Sequence, residues 1–135
     1  MLKLVVGVFL VLHGLVHLLY LGQSARLFEL RPGMVWPDGS WAFSRLLGDK
    51  ATRLLASAAC VLAAIGFVLS GGAVLLSQAW WRPLIVASAA FSTALCVLFW
   101  NGRLQRLDDQ GAIAVLIDIA ILVAVLVLRW PALGF

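Results

Sequence analysis

Two histidines interrupt a long apolar segment at the start of the chain. Residues 2–22 read LKLVVGVFLVLHGLVHLLYLG, a segment long enough to span a bilayer as a helix. His13 and His17 lie inside it four residues apart, so both imidazoles point to the same side of the helix. Ionisable groups at membrane depth are costly and usually face a bundle interior or a wet cavity. The pair therefore marks the region in which we expect a functional site.

The composition predicts an all-α integral membrane protein. Of the 135 residues, 64% are hydrophobic and 12% are charged, and the mean hydropathy is +1.07. A membrane-spanning helix needs about 20 apolar residues. Four segments qualify, at residues 2–22, 53–76, 83–100 and 111–130. We therefore predict one transmembrane domain, residues 1–135, folded as an antiparallel four-helix bundle with no second soluble domain.

The basic residues predict an orientation in the membrane rather than a nucleic-acid partner. The net charge is +4, but the basic residues are scattered between the apolar segments, as membrane flanks are. Seven lie in or beside the first and third loops: Arg26, Arg31, Arg45, Lys50, Arg53, Arg103 and Arg106. Three lie on the other side: Lys3, Arg82 and Arg129. Loops one and three are therefore expected in the cytoplasm and both termini outside.

The first loop is long and contains a short apolar segment. Turn-forming residues occupy 32–39, and Ser40 is placed to cap a short helix over 41–47 that stops at Gly48. This segment is apolar and basic, which is typical of a helix at the membrane surface, with Trp36 and Trp41 at the level of the lipid head groups. The alternative is that the loop forms a lid over the mouth of the bundle.

The depth of each polar residue follows from the helical rise of about 1.5 Å per residue. His13 falls near the middle of the membrane, and His17 about 7 Å towards loop one. Asp118, in the fourth segment, falls about 3–4 Å towards loop three, between the histidines in depth. Tyr20 continues the histidine stripe along the first helix. The sequence thus predicts a ligand-binding site formed by His13, His17, Tyr20 and Asp118.

Other polar residues fall in the same half of the membrane and predict a polar pocket that opens towards loops one and three. They are Ser57, Cys60, Thr93 and Cys96. Both cysteines lie within predicted spans, so we interpret them as buried thiols rather than a disulfide. Gly7 and Gly14 lie on a different side of the first helix, where they allow another helix to approach closely.

Several chemistries suit this cluster. His13, His17 and Asp118 are possible ligands for a divalent metal. A histidine beside a carboxylate also suits proton transfer, or a hydrogen bond to a quinone or another lipophilic carbonyl compound. The structural alternative is that a histidine bonds Asp118 and holds the first helix against the fourth. No nucleophile elbow, phosphate loop or HExxH motif is present, so we assign no catalytic residue, name no cofactor and do not expect an enzyme.

Two motifs carry a resemblance to known proteins. HGLVHLLY in the first segment, and LFWNGRL followed by GAIAVLIDIAILV, resemble a set of small bacterial four-helix membrane proteins with an HGLxHLL-type first helix. In size and helix count the chain also resembles the DoxX-like membrane proteins. The resemblance implies a fold and no particular activity. The sequence leaves two functions open: an accessory protein that associates with itself or with a larger membrane complex, and a membrane-embedded site for a proton, metal or lipophilic molecule.

Overall fold

The computed structural model describes all residues, 1–135, and every regular element in it is helical. The elements are α1 (Leu2–Ser24), α2 (Ser44–Leu75), α3 (Trp81–Leu98), a 3-10 turn (Leu107–Gln110) and α4 (Ala112–Leu122), which continues as a π-helical turn (Val123–Val127). The first three helices are long and apolar enough to cross a membrane. The fold is therefore all-α with no strands, as the sequence predicts.

The fourth helix is shorter than the predicted 111–130. Its α-helical and π-helical parts comprise 11 and 5 residues, which at 1.5 Å per residue is about 24 Å, against about 30 Å for a bilayer core. Arg129 adopts a positive φ of 52°, and Pro131 disfavours the helical conformation of the residue before it. The chain therefore leaves the helix before Trp130, and Arg82 Nη2 donates to the carbonyl of Pro131 at 2.8 Å.

The second helix begins earlier than predicted and contains a break. Residues 44–47 form one turn, and Gly48 follows with φ 77° and ψ 163°, a conformation that favours glycine. The expected separate helix over 41–47 is thus reduced to one turn joined to α2. Gly48 does interrupt the helix, as the sequence predicts, but the chain resumes its helical course immediately afterwards.

Loop one folds back over the helix ends and buries Trp36, which the sequence predicts at the level of the lipid head groups. Trp36 is 1% exposed, and its ring packs against Tyr20 and Phe99. Gln23 stabilises this arrangement, because its Nε2 donates to Met34 O and its Oε1 accepts from Leu30 N, both at 2.9 Å. The loop therefore covers one end of the helices. In the sequence, a tryptophan beside turn-forming residues is typical of a membrane interface. In this fold, Trp36 is a core residue.

Consecutive helices pack against each other, and α1 with α2 most extensively. Glycines allow this contact: a Cβ on Gly71 would lie 2.6 Å from the carbonyl oxygen of Gly7, and one on Gly14 would lie 2.8 Å from Cβ of Phe67. The prediction of close packing at Gly7 and Gly14 is confirmed. The backbones of α1 and α4, in contrast, make no comparable contact. Side chains and a cavity occupy the space between them.

A polar layer separates two apolar clusters in the interior. Towards the termini the core is built from Leu10, Phe67, Ala73, Val74, Trp81, Ile85, Ala89, Ile121 and Val125. Towards loops one and three it is built from Met34, Trp36, Ala56, Cys60, Ala63, Leu95, Cys96, Phe99 and Ala114. His13, His17, Ser92 and Asp118 are all buried at sequence positions between these two sets. Such a layer persists only if its polar atoms are paired.

Candidate functional site

His13 and Asp118 join α1 to α4. Nε2 of His13 lies 2.9 Å from Oδ1 of Asp118, and the side chains are 3% and 0% exposed. A carboxylate only accepts hydrogen bonds, so Nε2 of His13 carries the proton of this contact. The depths estimated from the sequence place Asp118 within reach of both histidines, and His13 is the one that contacts it. Because the backbones of α1 and α4 stay apart, this bond is a principal link between the two helices.

His17 is directed to α3 rather than to Asp118. Its Nδ1 lies 3.1 Å from the carbonyl oxygen of His13, so Nδ1 is the donor. In the neutral ring Nε2 is then an acceptor, and the Ser92 hydroxyl donates to it at 2.8 Å. Both nitrogens of His17 are therefore used within the protein. Its geometry is that of a structural histidine.

Phe67 of α2 packs against both imidazoles. Its ring centroid lies 4.6 Å from that of His13, edge to face, and 5.2 Å from that of His17, nearly parallel. The four helices thus each supply one or more groups to the layer. Phe67 and Ser92 were not among the predicted site residues.

The predicted metal site does not form. No group of three or more His, Cys, Asp or Glu side chains is placed to hold a metal ion. The physical reason is that both nitrogens of His17 have other partners, and that Nε2 of His13 is already bonded to Asp118. The three proposed ligands lie in one layer but do not converge on a common point.

A cavity of about 240 Å³ fills the space between α1 and α4. Its lining comes from α1, α4, loop one and the 3-10 turn, and consists of His13, Val16, Tyr20, Leu30, Arg31, Met34, Asp108, Ile113, Ala114 and Ile117. The lining is mostly apolar, with a few polar groups along its length. His13 and Tyr20 are seven residues apart on α1, which sets the length of this wall at about 10 Å.

Hydrogen-bonding capacity remains unused in and beside the cavity. Nδ1 of His13 and the hydroxyl of Tyr20 have no hydrogen-bond partner, and both residues line the cavity. Oδ2 of Asp118 is fully buried and also lacks a partner. Buried polar atoms are rarely left unpaired, so each such atom calls for an explanation.

Charged side chains from two loops meet at the outer end of the cavity. Arg31 of loop one forms an ion pair with Asp108 of the 3-10 turn, and its Nε lies 3.7 Å from Asp109. Arg106 Nε lies 3.4 Å from the second oxygen of Asp109. Both members of the Arg31–Asp108 pair are about half exposed. They connect loop one to loop three across the mouth of the cavity.

The predicted polar pocket is present only in part. Cys60 and Cys96 are free and buried, and with His17 they line a separate space of about 10 Å³, which is barely enough for one water molecule. Ser57 does not reach either cavity, because its hydroxyl is bonded to the Arg53 carbonyl at 2.7 Å. Thr93 lines neither cavity, and its buried hydroxyl has no hydrogen-bond partner, so the predicted residues do not line one common pocket.

The site contains one satisfied histidine and one with a free nitrogen beside a largely apolar cavity. No family model, curated protein or solved structure matches the chain. The chemistry of the site is therefore interpreted from its own residues. A free imidazole nitrogen in an apolar space suits a hydrogen bond to a small molecule that has one polar group and an apolar body.

Proposed function

We propose that this chain is a polytopic protein of a bacterial inner membrane, in which α1 to α4 form an antiparallel bundle. The support is the apolar length of three helices and the large aliphatic side chains on their outer surfaces. Aliphatic side chains that are more than half exposed include those of Leu4, Val5, Leu12, Leu54, Leu62, Leu69, Leu116 and Leu126. A water-soluble monomer rarely exposes so much contiguous apolar surface. The lipid bilayer is the partner that this surface fits.

In this proposal loops one and three are cytoplasmic, and labelling of single cysteines tests the orientation. We expect a membrane-impermeant maleimide to label Gln78→Cys in intact spheroplasts, and to label Gln105→Cys only after the membrane is opened. Both positions are exposed, and the natural cysteines are buried, so background labelling should be low. The reverse pattern would invert the topology. Labelling of both sites in intact spheroplasts would contradict membrane insertion.

We further propose that the cavity between α1 and α4 binds a small lipophilic molecule through a hydrogen bond to His13. The observation that carries this proposal is that His13, whose Nδ1 has no hydrogen-bond partner, lines that cavity. When Nε2–H donates to Asp118, Nδ1 of the neutral ring accepts from a hydroxyl group. The imidazolium form donates to a carbonyl instead. A quinol or quinone head group meets both requirements.

The cavity is large enough to hold one substituted ring. An apolar cavity of about 150 Å³ is enough to bind benzene, and this cavity measures about 240 Å³. The apolar wall formed by Val16, Ile113 and Ile117 provides the contacts for the body of the ligand. The free hydroxyl of Tyr20 offers a second polar contact nearer loop one.

His13→Gln tests this function, because the glutamine amide can still donate to Asp118 but supplies no imidazole Nδ1. We expect the affinity for a short-chain benzoquinol, measured by calorimetry on detergent-solubilised protein, to fall about fivefold. This is the effect of losing one hydrogen bond of about 1 kcal/mol. Ser92→Ala is the matched control, since Ser92 belongs to the polar layer but does not line the cavity.

Two results would contradict the ligand proposal. One is equal affinity in the parent protein and His13→Gln. The other is an equal loss of affinity in Ser92→Ala, because that would reflect disturbance of the helices rather than a lost contact. Either result would favour the accessory-protein function, in which the histidines act only by holding the helices together.

A further inference from the structure

A second cavity lies on the loop side of the molecule, separate from the one at His13. It measures about 660 Å³ and is mostly polar. Its walls include Gly39, Trp41, Ser44, Arg45, Asp49 and Asn101. It therefore lies where loop one meets the first turn of α2 and the end of α3. Nothing in the His13 site makes use of these residues.

Two opposite charges in this cavity have no ionic partner. Arg45 is exposed and has no carboxylate within 4.0 Å, whereas Arg26, Arg31 and Arg53 all form ion pairs. Asp49 has no basic partner either, and its Oδ1 accepts a hydrogen bond of 3.1 Å from the backbone N–H of Gly39. That bond fixes the carboxylate against loop one. The cavity thus presents one cation and one anion, neither of which is in an ion pair, and Asp49 also lies in the electrostatic field of Arg26 and Arg53.

The residues beside the cavity are apolar and exposed. Leu46 is 83% exposed and Trp41 is 56% exposed. The indole of Trp41 is fixed in place, since its Nε1 donates to the Val97 carbonyl at 2.6 Å. Exposed tryptophan and leucine beside charged groups are typical of the boundary between lipid and water. In the proposed orientation this boundary lies on the cytoplasmic side, where α2 leaves the membrane.

We propose that this cavity binds the phosphoethanolamine group of a zwitterionic phospholipid, with the phosphate at Arg45 and the ammonium at Asp49. Arginine suits phosphate because its planar guanidinium donates several hydrogen bonds. An anionic head group such as phosphoglycerol has no cation to pair with the Asp49 carboxylate, so it fits less well. Trp41 and Leu46 lie beside the acyl chains. The proposal rests on membrane insertion and is independent of the ligand at His13.

Native mass spectrometry of the full chain, released from bilayers with equal phosphatidylethanolamine and phosphatidylglycerol, tests the proposal. We expect the parent protein to retain phosphatidylethanolamine preferentially. Arg45→Gln should reduce retention of both lipids about fivefold, as expected for loss of about 1 kcal/mol at an exposed charge. Asp49→Asn keeps an acceptor for Gly39 and should abolish only the preference between the two lipids. Lys50→Gln is the control, because Lys50 is exposed but does not line the cavity.

Each of the other possible results of this experiment would either support or overturn the proposed lipid site. Competition by soluble glycerophosphoethanolamine would show that the head group alone is recognised and would support the site. Preference for phosphatidylglycerol in the parent protein would overturn it in favour of an anionic-lipid surface. Unchanged retention in Arg45→Gln, or an equal loss in Lys50→Gln, would also overturn it. Extraction of the protein by an alkaline carbonate wash would instead contradict membrane insertion, so failure of the two proposals is distinguishable.

Discussion

Gly71→Ala should destabilise the protein by about 2 kcal/mol, because one added methyl group would strike the backbone of the neighbouring helix. A Cβ at this position would lie 2.6 Å from the carbonyl oxygen of Gly7 and 3.0 Å from the backbone nitrogen of Val11. Neither atom can move without shifting α1. Overpacking of a tight contact costs about 1–3 kcal/mol. The free energy of unfolding in mixed detergent micelles measures the effect.

The next residue provides a matched control for this prediction. A Cβ on Gly72 would have no atom within 4 Å, so Gly72→Ala adds the same methyl group to the same helix without a clash. Alanine has the higher helix propensity, by about 1 kcal/mol. We therefore expect Gly72→Ala to leave stability unchanged or to raise it. If both variants lost the same stability, the close approach of α1 and α2 at Gly71 would be refuted.

The sequence predicted the helices better than the way they pack. Apolar length gave three of the four spans to within a few residues at most ends, and the glycines of α1 indicated a close helix contact. The fourth span was overestimated, because hydropathy continues past the point where Arg129 adopts a positive φ. The start of α2 was not predicted, because glycine usually ends a helix. In this chain Gly48 only interrupts the helix.

The contact between His13 and Asp118 was predictable because both residues lie deep in their helices, and depth follows from position in the sequence. The partner of His17 was not identified. The third helix spans Trp81–Leu98 instead of the predicted 83–100, so Ser92 lies about 3 Å nearer to the loop-three end than expected. Depth also gives no information on the rotation of α3, which decides whether Ser92 faces α1. With the observed bounds, the serine becomes a candidate partner at the level of His17.

Sequence periodicity could not predict the fold of loop one. Trp36 lies among turn formers, so no helical or strand pattern indicates that it is buried. Its burial depends on side-chain bonds made at a distance, above all those of Gln23 to Met34 and Leu30. Of the cavity at His13, the sequence predicted the residues His13 and Tyr20 but not the wall formed by Leu30, Arg31 and Met34 of this loop, for the same reason.

Removal of His13 should cost more stability than removal of His17, although each makes one side-chain hydrogen bond to another helix. His13→Leu leaves the fully buried Asp118 carboxylate without its hydrogen-bond partner, and leaving a buried acceptor unpaired costs about 1–3 kcal/mol, and more where the acceptor is charged. Replacing both residues with leucine should recover most of that loss, because two apolar side chains leave no unpaired charge. A double-mutant cycle of unfolding free energies measures the coupling.

The pair formed by His17 and Ser92 is the matched control, since it is buried in the same layer but contains no carboxylate. Hydrogen bonds between membrane helices average about 0.6 kcal/mol and reach about 1.7 kcal/mol. We therefore expect the cycle of His17→Leu and Ser92→Ala to give a coupling in that range, well below that of His13 and Asp118. Equal couplings would contradict the special cost of leaving the Asp118 side chain unpaired. The His13 contact would then be an ordinary link between helices, and the contrast between the two histidines would rest on the free Nδ1 of His13 alone.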